Sequence, residues 1–174
     1  GLGGKGANQS VAAAQAGARV VHIGAVGPDG AWAVSRLTAL GVDTTHISEV
    51  TAPTAHAIIN VDPKGENAIV VFPGANMQQS LTPLKTALLS AKRGDMLLLQ
   101  NETNLALEAA TLARSLGLKV LYSAAPFDAA ATKALLPLTD ILVLNAVEMQ
   151  QLTEATDAIA LSPATIIITE GSKG

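Results

Sequence analysis

Short apolar runs alternate with helix-forming segments along most of the chain. The runs have the apolar, often β-branched composition of buried strands, and they are residues 19–26, 96–99, 118–122, 141–144 and 166–168. The pattern predicts helices at residues 7–16, 29–40 and 105–116. A glycine follows each predicted helix, where helices commonly end: Gly17, Gly41 and Gly117. We also expect Asp29 to cap the second helix.

Apolar strands separated by helices are typical of a parallel sheet covered on both faces. We therefore predict a three-layer αβα architecture with a mainly parallel sheet. Sheets of this kind bind ligands at the carboxyl ends of their strands. Polar residues that directly follow the predicted strands are thus the first candidates for chemistry.

One segment departs from the alternation of strands and helices. Residues 54–62 and 67–72 flank the turn-rich tetrapeptide Pro63-Lys64-Gly65-Glu66, a pattern that predicts an antiparallel hairpin. Such a hairpin could cover a ligand site as a small β lid, or it could be an edge hairpin without a function. The hydrophobic pattern alone leaves both interpretations open.

Composition excludes several classes of protein. The chain is 49% hydrophobic and 14% charged, which suits a folded core and not a disordered chain. A net charge of −3 provides no basic face for nucleic acid, and the lack of cysteine excludes disulfides and thiolate metal sites. No apolar run is long enough to cross a bilayer.

The two ends of the sequence carry no signals of natural termini. The chain begins at Gly1 without Met, and it stops at Gly174, soon after an apolar run. We expect both ends to be cuts in a longer protein.

The first candidate site is the segment Gly3-Gly4-Lys5-Gly6-Ala7-Asn8-Gln9, which opens the first predicted helix. Glycines allow close approach of a ligand, and a helix start offers unpaired N–H groups. The side chains of Lys5 and Asn8 suit hydroxyl or phosphate oxygens. The alternative is a flexible glycine cap without a ligand.

Three further candidates follow predicted strands. Glu102 could accept hydrogen bonds from substrate hydroxyls, or be an ordinary loop carboxylate. Asn145 and Glu148, one helical turn apart, could serve a hydrated magnesium ion, or form a capping box. Residues 169–174, TEGSKG, could contact phosphate or ribose, or be a surface turn.

Taken together and in this order, these segments resemble the ribokinase-like carbohydrate kinase family. Residues 3–9 resemble its sugar-binding signature, and the hairpin followed by Gly74-Ala75-Asn76 resembles its β lid. Asn145-x-x-Glu148 resembles its N-x-x-E motif, and residues 169–174 resemble its nucleotide-contacting turn. One departure is Ser123-Ala124-Ala125-Pro126, where the family usually has Asn-Pro-Ala-Pro.

The resemblance implies a partial ribokinase-like α/β domain over residues 1–174, with a lid at about 54–73. It implies that the following residues bind the sugar: Gly4, Lys5, Gly6, Ala7, Asn8 and Glu102. It implies that a second set binds the nucleotide: Asn145, Thr169, Gly171, Ser172 and Gly174. Glu148 is expected to hold Mg²⁺ through water.

The activity implied by the resemblance is ATP-dependent phosphorylation of a sugar hydroxyl, with D-ribose converted to ribose 5-phosphate. Its cofactors are ATP and Mg²⁺, with a monovalent cation as a further candidate. We expect a cytoplasmic homodimer formed through the lid, with neither nucleic acid nor membrane as a partner. The alternatives are a non-catalytic sugar-binding or regulatory module, and a related kinase for another sugar or a nucleoside.

The family's catalytic base is the Asp of a Gly-Ala-Gly-Asp motif, which does not occur in this sequence. The early strand with a further sugar-binding Asp is also missing. We expect the base beyond Gly174, no catalytic residue within the chain, and no phosphoryl transfer by these 174 residues alone.

Overall fold

The computed structural model describes residues 1–62, 65, 67–155 and 163–171. The chain forms two compact units, Gly1–Pro83 and Leu84–Gly174. The elements of the first unit are α1 (Lys5–Gln15), β1 (Val21–Val26), α2 (Ala31–Ala39), β2 (Asp43–Glu49), β3 (His56–Val61), β4 (Asn67–Phe72) and a 3₁₀ turn at Gly74–Met77. A further helix, α3 (Leu81–Ser90), begins at the end of this unit.

The helix predicted at residues 7–16 and the strand predicted at residues 19–26 are confirmed as α1 and β1, with shifted boundaries. Gly17 ends α1 with a φ of 91°, and the N–H of Ala18 donates to the carbonyl of Ala13, as in a Schellman motif. β1 pairs in parallel with β2, a strand that the apolar pattern does not predict. Its sequence, DTTHISE, is largely polar, so it lacks the signal of a buried strand.

The role predicted for Asp29 is wrong. α2 has Gly30 at its N-cap, with no side-chain hydrogen bond to the helix. Oδ1 of Asp29 instead accepts hydrogen bonds from the Thr54 amide at 2.9 Å and the Thr54 hydroxyl at 2.8 Å. A carboxylate can satisfy two donors of a distant loop, and this competes with capping its own helix.

β3 and β4 form the predicted antiparallel hairpin, in register from His56↔Phe72 to Val61↔Asn67. We call this hairpin the lid. The base of the lid is tied to the segment before α2, because Thr54 Oγ1 also accepts from the amide of Gly27 at 3.0 Å. The two ends of the lid are joined where the amide of Ala75 donates to the carbonyl of Pro53 at 2.9 Å.

The base of the lid is packed too tightly for side chains at three glycines. A Cβ added at Gly27 would collide with the carbonyl of Ala52, and one at Gly74 with the carbonyl of Pro53. A Cβ at Gly30 would collide with Thr54 Oγ1 and with Val26. These glycines therefore allow the close approach of backbone segments that anchors the lid.

The second unit is built on a four-stranded parallel sheet in the order β5-β6-β7-β8. After α3, its elements are β5 (Met96–Leu99), α4 (Ala106–Ser115), β6 (Lys119–Ser123), α5 (Ala129–Leu135), a 3₁₀ turn at Leu136–Leu138, β7 (Ile141–Asn145), α6 (Ala146–Ala155) and β8 (Thr165–Thr169). The core lies around the central strands β6 and β7, where Val120, Tyr122, Leu142 and Leu144 are buried.

The predicted α/β fold, with parallel strands and a small antiparallel hairpin, is thus confirmed. The parallel strands are divided between a two-stranded and a four-stranded sheet in the described part of the chain. In that part, no helix combines the length and apolar character needed to cross a membrane.

Candidate functional site

In the first unit, the glycine-rich segment forms the start of α1. Gly4 is the N-cap, with φ 91° and ψ 149°, a backbone conformation that is almost exclusive to glycine. The helix begins at Lys5, so Lys5 and Asn8 lie three residues apart on one face of its first turn. The first N–H groups of a helix lack intrahelical acceptors, and together with the Lys5 ammonium they form an environment suited to oxygen-rich ligands.

The first helix is fastened to the strand that follows it. Ser10 Oγ lies 2.8 Å from Nδ1 of His22 on β1, within hydrogen-bonding distance. Burial lowers the pKa of His22, so its ring is neutral at pH 7. This contact fixes the helix that carries Lys5 and Asn8 against β1.

In the second unit, Glu102 follows β5 in a loop that is held by its neighbour Asn101. The Asn101 amide donates to the carbonyl of Ala125 at 3.2 Å, and Nδ2 donates to the carbonyl of Pro126 at 3.0 Å. The hydroxyl of Tyr122 donates to Oδ1 of Asn101 at 2.7 Å. The loops after β5 and β6 are therefore joined at the carboxyl end of the sheet.

A shallow cleft, open to solvent, lies after β7 and β8, at the carboxyl end of the same sheet. Its volume of about 340 Å³ is within the range of small-molecule sites, and its lining residues are Asn145, Ala146, Val147, Thr169, Glu170 and Gly171. Asn145 and Thr169 meet because the two strands pair in register at these positions. The structure thus brings together three of the predicted nucleotide-binding residues, whereas Ser172 and Gly174 lie outside the described residues.

Asn145 and Glu148 form a reciprocal capping box at the start of α6. Oδ1 of Asn145 accepts from the amide of Glu148, and Oε2 of Glu148 accepts from the amide of Asn145, both at 2.8 Å. The capping interpretation of this pair is therefore realised. It also holds the Asn145 side chain in a fixed orientation at the edge of the cleft.

The described residues contain no group of three or more His, Cys, Asp or Glu side chains able to hold a metal ion. Magnesium keeps several waters and needs only one or two carboxylates beside phosphate oxygens. Glu148, with the oxygens of Asn145 and Thr169 nearby in the fold, offers donors of the right chemistry for a hydrated Mg²⁺ on a nucleotide.

Sequence reasoning did not single out every residue of these regions. Ala146, Val147 and Glu170 also line the cleft; they fall within the candidate segments 145–148 and 169–174, but the sequence assigned them no role of their own. The contact between Asn101 and Tyr122 has no signal in the sequence, because 21 positions separate the two residues.

Comparison with known proteins agrees with these features. The family model described as "pfkB family carbohydrate kinase" matches residues 1–174. A ribokinase of Haemophilus influenzae is 38% identical over 189 residues, covering 99% of this chain and 61% of that protein. The chain thus spans about three fifths of the length of this relative.

Solved structures show the same fold. The crystal structure of a ribokinase from Cryptococcus neoformans in complex with ADP gives a TM-score of 0.84 at 31% identity, covering 99% of this chain and 62% of that one. An Arabidopsis thaliana ribokinase complexed with ribose and ATP gives a TM-score of 0.79 at 26% identity, with 99% and 62% covered. The family model extends over the whole chain, and the chain therefore belongs to the pfkB family of carbohydrate kinases.

Proposed function

We propose that this chain is part of an ATP-dependent sugar kinase that transfers the γ-phosphoryl group of ATP to a hydroxyl of D-ribose, giving ribose 5-phosphate. The observation that carries the proposal is the cleft formed by Asn145, Thr169 and Gly171 in a chain whose full length matches a carbohydrate kinase family. The ribokinase complexes with ADP and with ribose and ATP support the choice of substrates.

The sugar is assigned to the start of α1 and to the loop after β5. Gly4, Gly6 and Ala7 supply backbone at the helix start, and Lys5 and Asn8 supply donors to sugar hydroxyls. Glu102 acts as a charged acceptor for sugar hydroxyls, a stronger hydrogen bond than a neutral one. Holding the acceptor hydroxyl in place is the main contribution of such residues, because phosphoryl transfer depends on positioning.

The nucleotide is assigned to the cleft after β7 and β8. Asn145 donates to a phosphate oxygen, and the backbone from Thr169 through Gly171, Ser172 and Gly174 contacts ribose and phosphate. Glu148 is the residue that would hold Mg²⁺ through water, and a monovalent cation is a further candidate. Bound magnesium would neutralise charge on the phosphates.

The test is a substrate panel on the full-length protein. ADP release is measured with ribose, 2-deoxyribose, fructose and a nucleoside as acceptors, and the product with ribose is identified by NMR. We expect ribose to give the highest kcat/KM, with phosphate on the 5-hydroxyl. A higher kcat/KM with another acceptor would assign the chain to a different kinase of the family.

A second candidate is a sugar-binding or regulatory module without catalysis. Such a module would bind ribose at the residues assigned above without using ATP. Calorimetry on the full-length protein separates the two functions. Binding of both ribose and a non-hydrolysable ATP analogue supports the kinase, whereas binding of ribose alone supports the module.

We also propose a cytoplasmic homodimer that pairs through the lid. Opposite residues of a hairpin share a face, so Ala57, Val71, Ile59, Ile69 and Val61 lie on one face of the lid. Ile59 and Ile69 are exposed, as are Ile58 and Val70 on the other face. A two-stranded hairpin that exposes apolar side chains on both faces is unfavourable in water, and a second lid would cover one of these faces.

A further inference from the structure

A buried hydrogen-bond network lies directly beneath the loop that carries Glu102. The side chains of Tyr122 and Thr132 are both 0% exposed, and Tyr122 is the last but one residue of β6. Its hydroxyl lies 2.7 Å from Oδ1 of Asn101 and 3.2 Å from Oγ1 of Thr132. Both contacts involve polar atoms that would be costly to leave unpaired at such a depth.

The direction of the hydrogen bonds in this network is determined. Oδ1 of Asn101 can only accept, so Tyr122 donates its proton to Asn101 and Thr132 donates to Tyr122. Burial raises the pKa of Tyr122, which keeps the hydroxyl protonated and able to donate. α5, which carries Thr132, is thus linked through Tyr122 to the loop after β5.

Asn101 is fixed at three atoms. Its amide and Nδ2 donate to the carbonyls of Ala125 and Pro126, and its Oδ1 accepts from Tyr122. These three hydrogen bonds tie both the backbone and the side chain of Asn101 to the end of β6 and the loop that follows it. Glu102 is the next residue along the chain, so its Cα lies about 3.8 Å from that of Asn101.

We infer that Tyr122 is a positioning residue for sugar binding, which acts through Asn101 to hold the backbone of Glu102 in place. The inference rests on the proposed function, in which Glu102 binds the sugar. Tyr122 itself touches no substrate. It sets the affinity for the sugar by limiting the positions that the carboxylate of Glu102 can take.

The test compares substitutions that each remove one hydroxyl group from the full-length protein. Tyr122→Phe removes only the hydroxyl, and we expect the KM for ribose to rise about fivefold, the factor expected for one lost hydrogen bond. The KM for ATP and kcat should stay near the wild-type values. Thr132→Val leaves the contact between Tyr122 and Asn101 in place, so it should raise the ribose KM by a smaller factor.

Thr139→Val is the matched control. Its hydroxyl is also buried and donates to the carbonyl of Leu135, but Thr139 precedes β7, at the opposite end of the sheet from Glu102. We expect Thr139→Val to lower the melting temperature without changing the ribose KM. An equal rise in KM with this variant, or an equal rise for ATP and ribose in Tyr122→Phe, would show a general loss of structure and overturn the inference.

A double-mutant cycle with Glu102→Gln separates this inference from the proposed function. If Tyr122 acts through Glu102, Tyr122→Phe should add almost nothing to the ribose KM of Glu102→Gln. An unchanged KM in Glu102→Gln would remove the assigned role of Glu102, and with it this inference. A raised KM in Glu102→Gln with no effect of Tyr122→Phe would leave the proposed function standing and refute the role of Tyr122.

Discussion

At the scale of single residues, Gly4 is required for its backbone conformation and not because a side chain would lack space. No atom lies within 4 Å of the position that a Cβ would take at Gly4, yet its φ of 91° disfavours any side chain. Gly3 also has open space, and its φ is outside the left-handed range. The two neighbours therefore form a matched pair.

We expect Gly4→Ala to lower the free energy of unfolding by about 2 kcal/mol, the cost of a residue held in a conformation reserved for glycine. Gly3→Ala should change it by less than about 0.5 kcal/mol, as ordinary surface substitutions do. Urea unfolding followed by circular dichroism measures both. Equal stabilities of the two variants would contradict the strained start of α1.

The capping role of Glu148 can be separated from its proposed role in holding Mg²⁺, because a glutamine can replace it in a capping box but cannot carry its charge. Glu148→Gln should keep the free energy of unfolding near that of the wild type while raising the Mg²⁺ concentration needed for half-maximal activity. Glu148→Ala should in addition lose about 1 kcal/mol of stability through the missing cap. An unchanged Mg²⁺ requirement in Glu148→Gln would restrict this residue to a structural role.

At the scale of elements, the base of the lid depends on an ionised carboxylate. The hydrogen bonds that Asp29 accepts from Thr54 lower its pKa below the ordinary value of 3.8. Because the folded-state pKa is the lower one, this contribution to stability is complete above about pH 4 to 5 and is lost as the pH falls through the folded value.

We therefore expect wild type to lose stability on acidification below pH 4 more steeply than Asp29→Asn. Melting temperatures between about pH 2.5 and 7 provide the measurement, since the carboxylate titrates in this range. Thr54→Val, which deletes the hydroxyl but keeps the backbone donor, should fall between the two. Parallel pH profiles of all three proteins would contradict a stabilising role for the ionised Asp29 carboxylate.

The two faces of the lid give another matched pair, on adjacent residues of β4. Ile69 is 57% exposed and lies on one face with Ala57, Ile59 and Val71, whereas Val70 is 62% exposed and lies with Ile58 and the polar residues His56 and Asn60 on the opposite face. If the more apolar face pairs with a second lid, Ile69→Lys should place an unpaired charge in the subunit contact and produce monomers.

Val70→Lys should leave the dimer intact in the same experiment, because a lysine on the other face stays in water. Sedimentation velocity of the two full-length variants gives the mass directly. Dimers of Ile69→Lys combined with monomers of Val70→Lys would reverse the assignment of the faces.

At the scale of the whole molecule, stability should concentrate in the centre of the four-stranded sheet. β6 and β7 have strand neighbours on both sides and bury Val120, Leu142 and Leu144, whereas β8 is at the edge of the sheet in the described part of the chain and has mostly exposed side chains. We expect the slowest amide hydrogen exchange in β6 and β7, and the fastest exchange among the strands in the lid. Mass spectrometry of peptic fragments measures this order, and equally slow exchange in β3 would contradict it.

The sequence pattern predicts the strands whose side chains are nearly all apolar. β7 reads ILVLN and is found because nearly every side chain is apolar. β2 reads DTTHISE and is missed because most of its side chains are polar and none is buried. α3 is missed as well, because Pro83 resembles a helix breaker but lies in the first turn, where its ring is tolerated. Apolar composition therefore reveals strands that are buried, such as β7, and strands that are largely exposed, such as β8, whereas a polar strand such as β2 goes undetected.

The residues of the candidate site also fall into those that the sequence could predict and those that it could not. Residues after strands, such as Glu102 and Asn145, could be predicted because the topology of a parallel sheet places strand ends at one edge. The network of Asn101, Tyr122 and Thr132 could not, since each hydrogen bond joins residues that only the finished fold brings together. Asp29 was assigned to the wrong partner for the same reason: Thr54 lies 25 positions away.

The crowded glycines at the base of the lid have a consequence for redesign. A side chain at Gly27, Gly30 or Gly74 would collide with backbone atoms, with Val26 or with Thr54, whereas residues 56–61 and 68–72 carry exposed side chains. The strands of the hairpin can therefore be exchanged for those of another member of the family while Gly27, Gly30, Gly74 and Thr54 stay unchanged. A graft with its junctions among these three glycines and Thr54 would disturb α2, β1 and the new hairpin together.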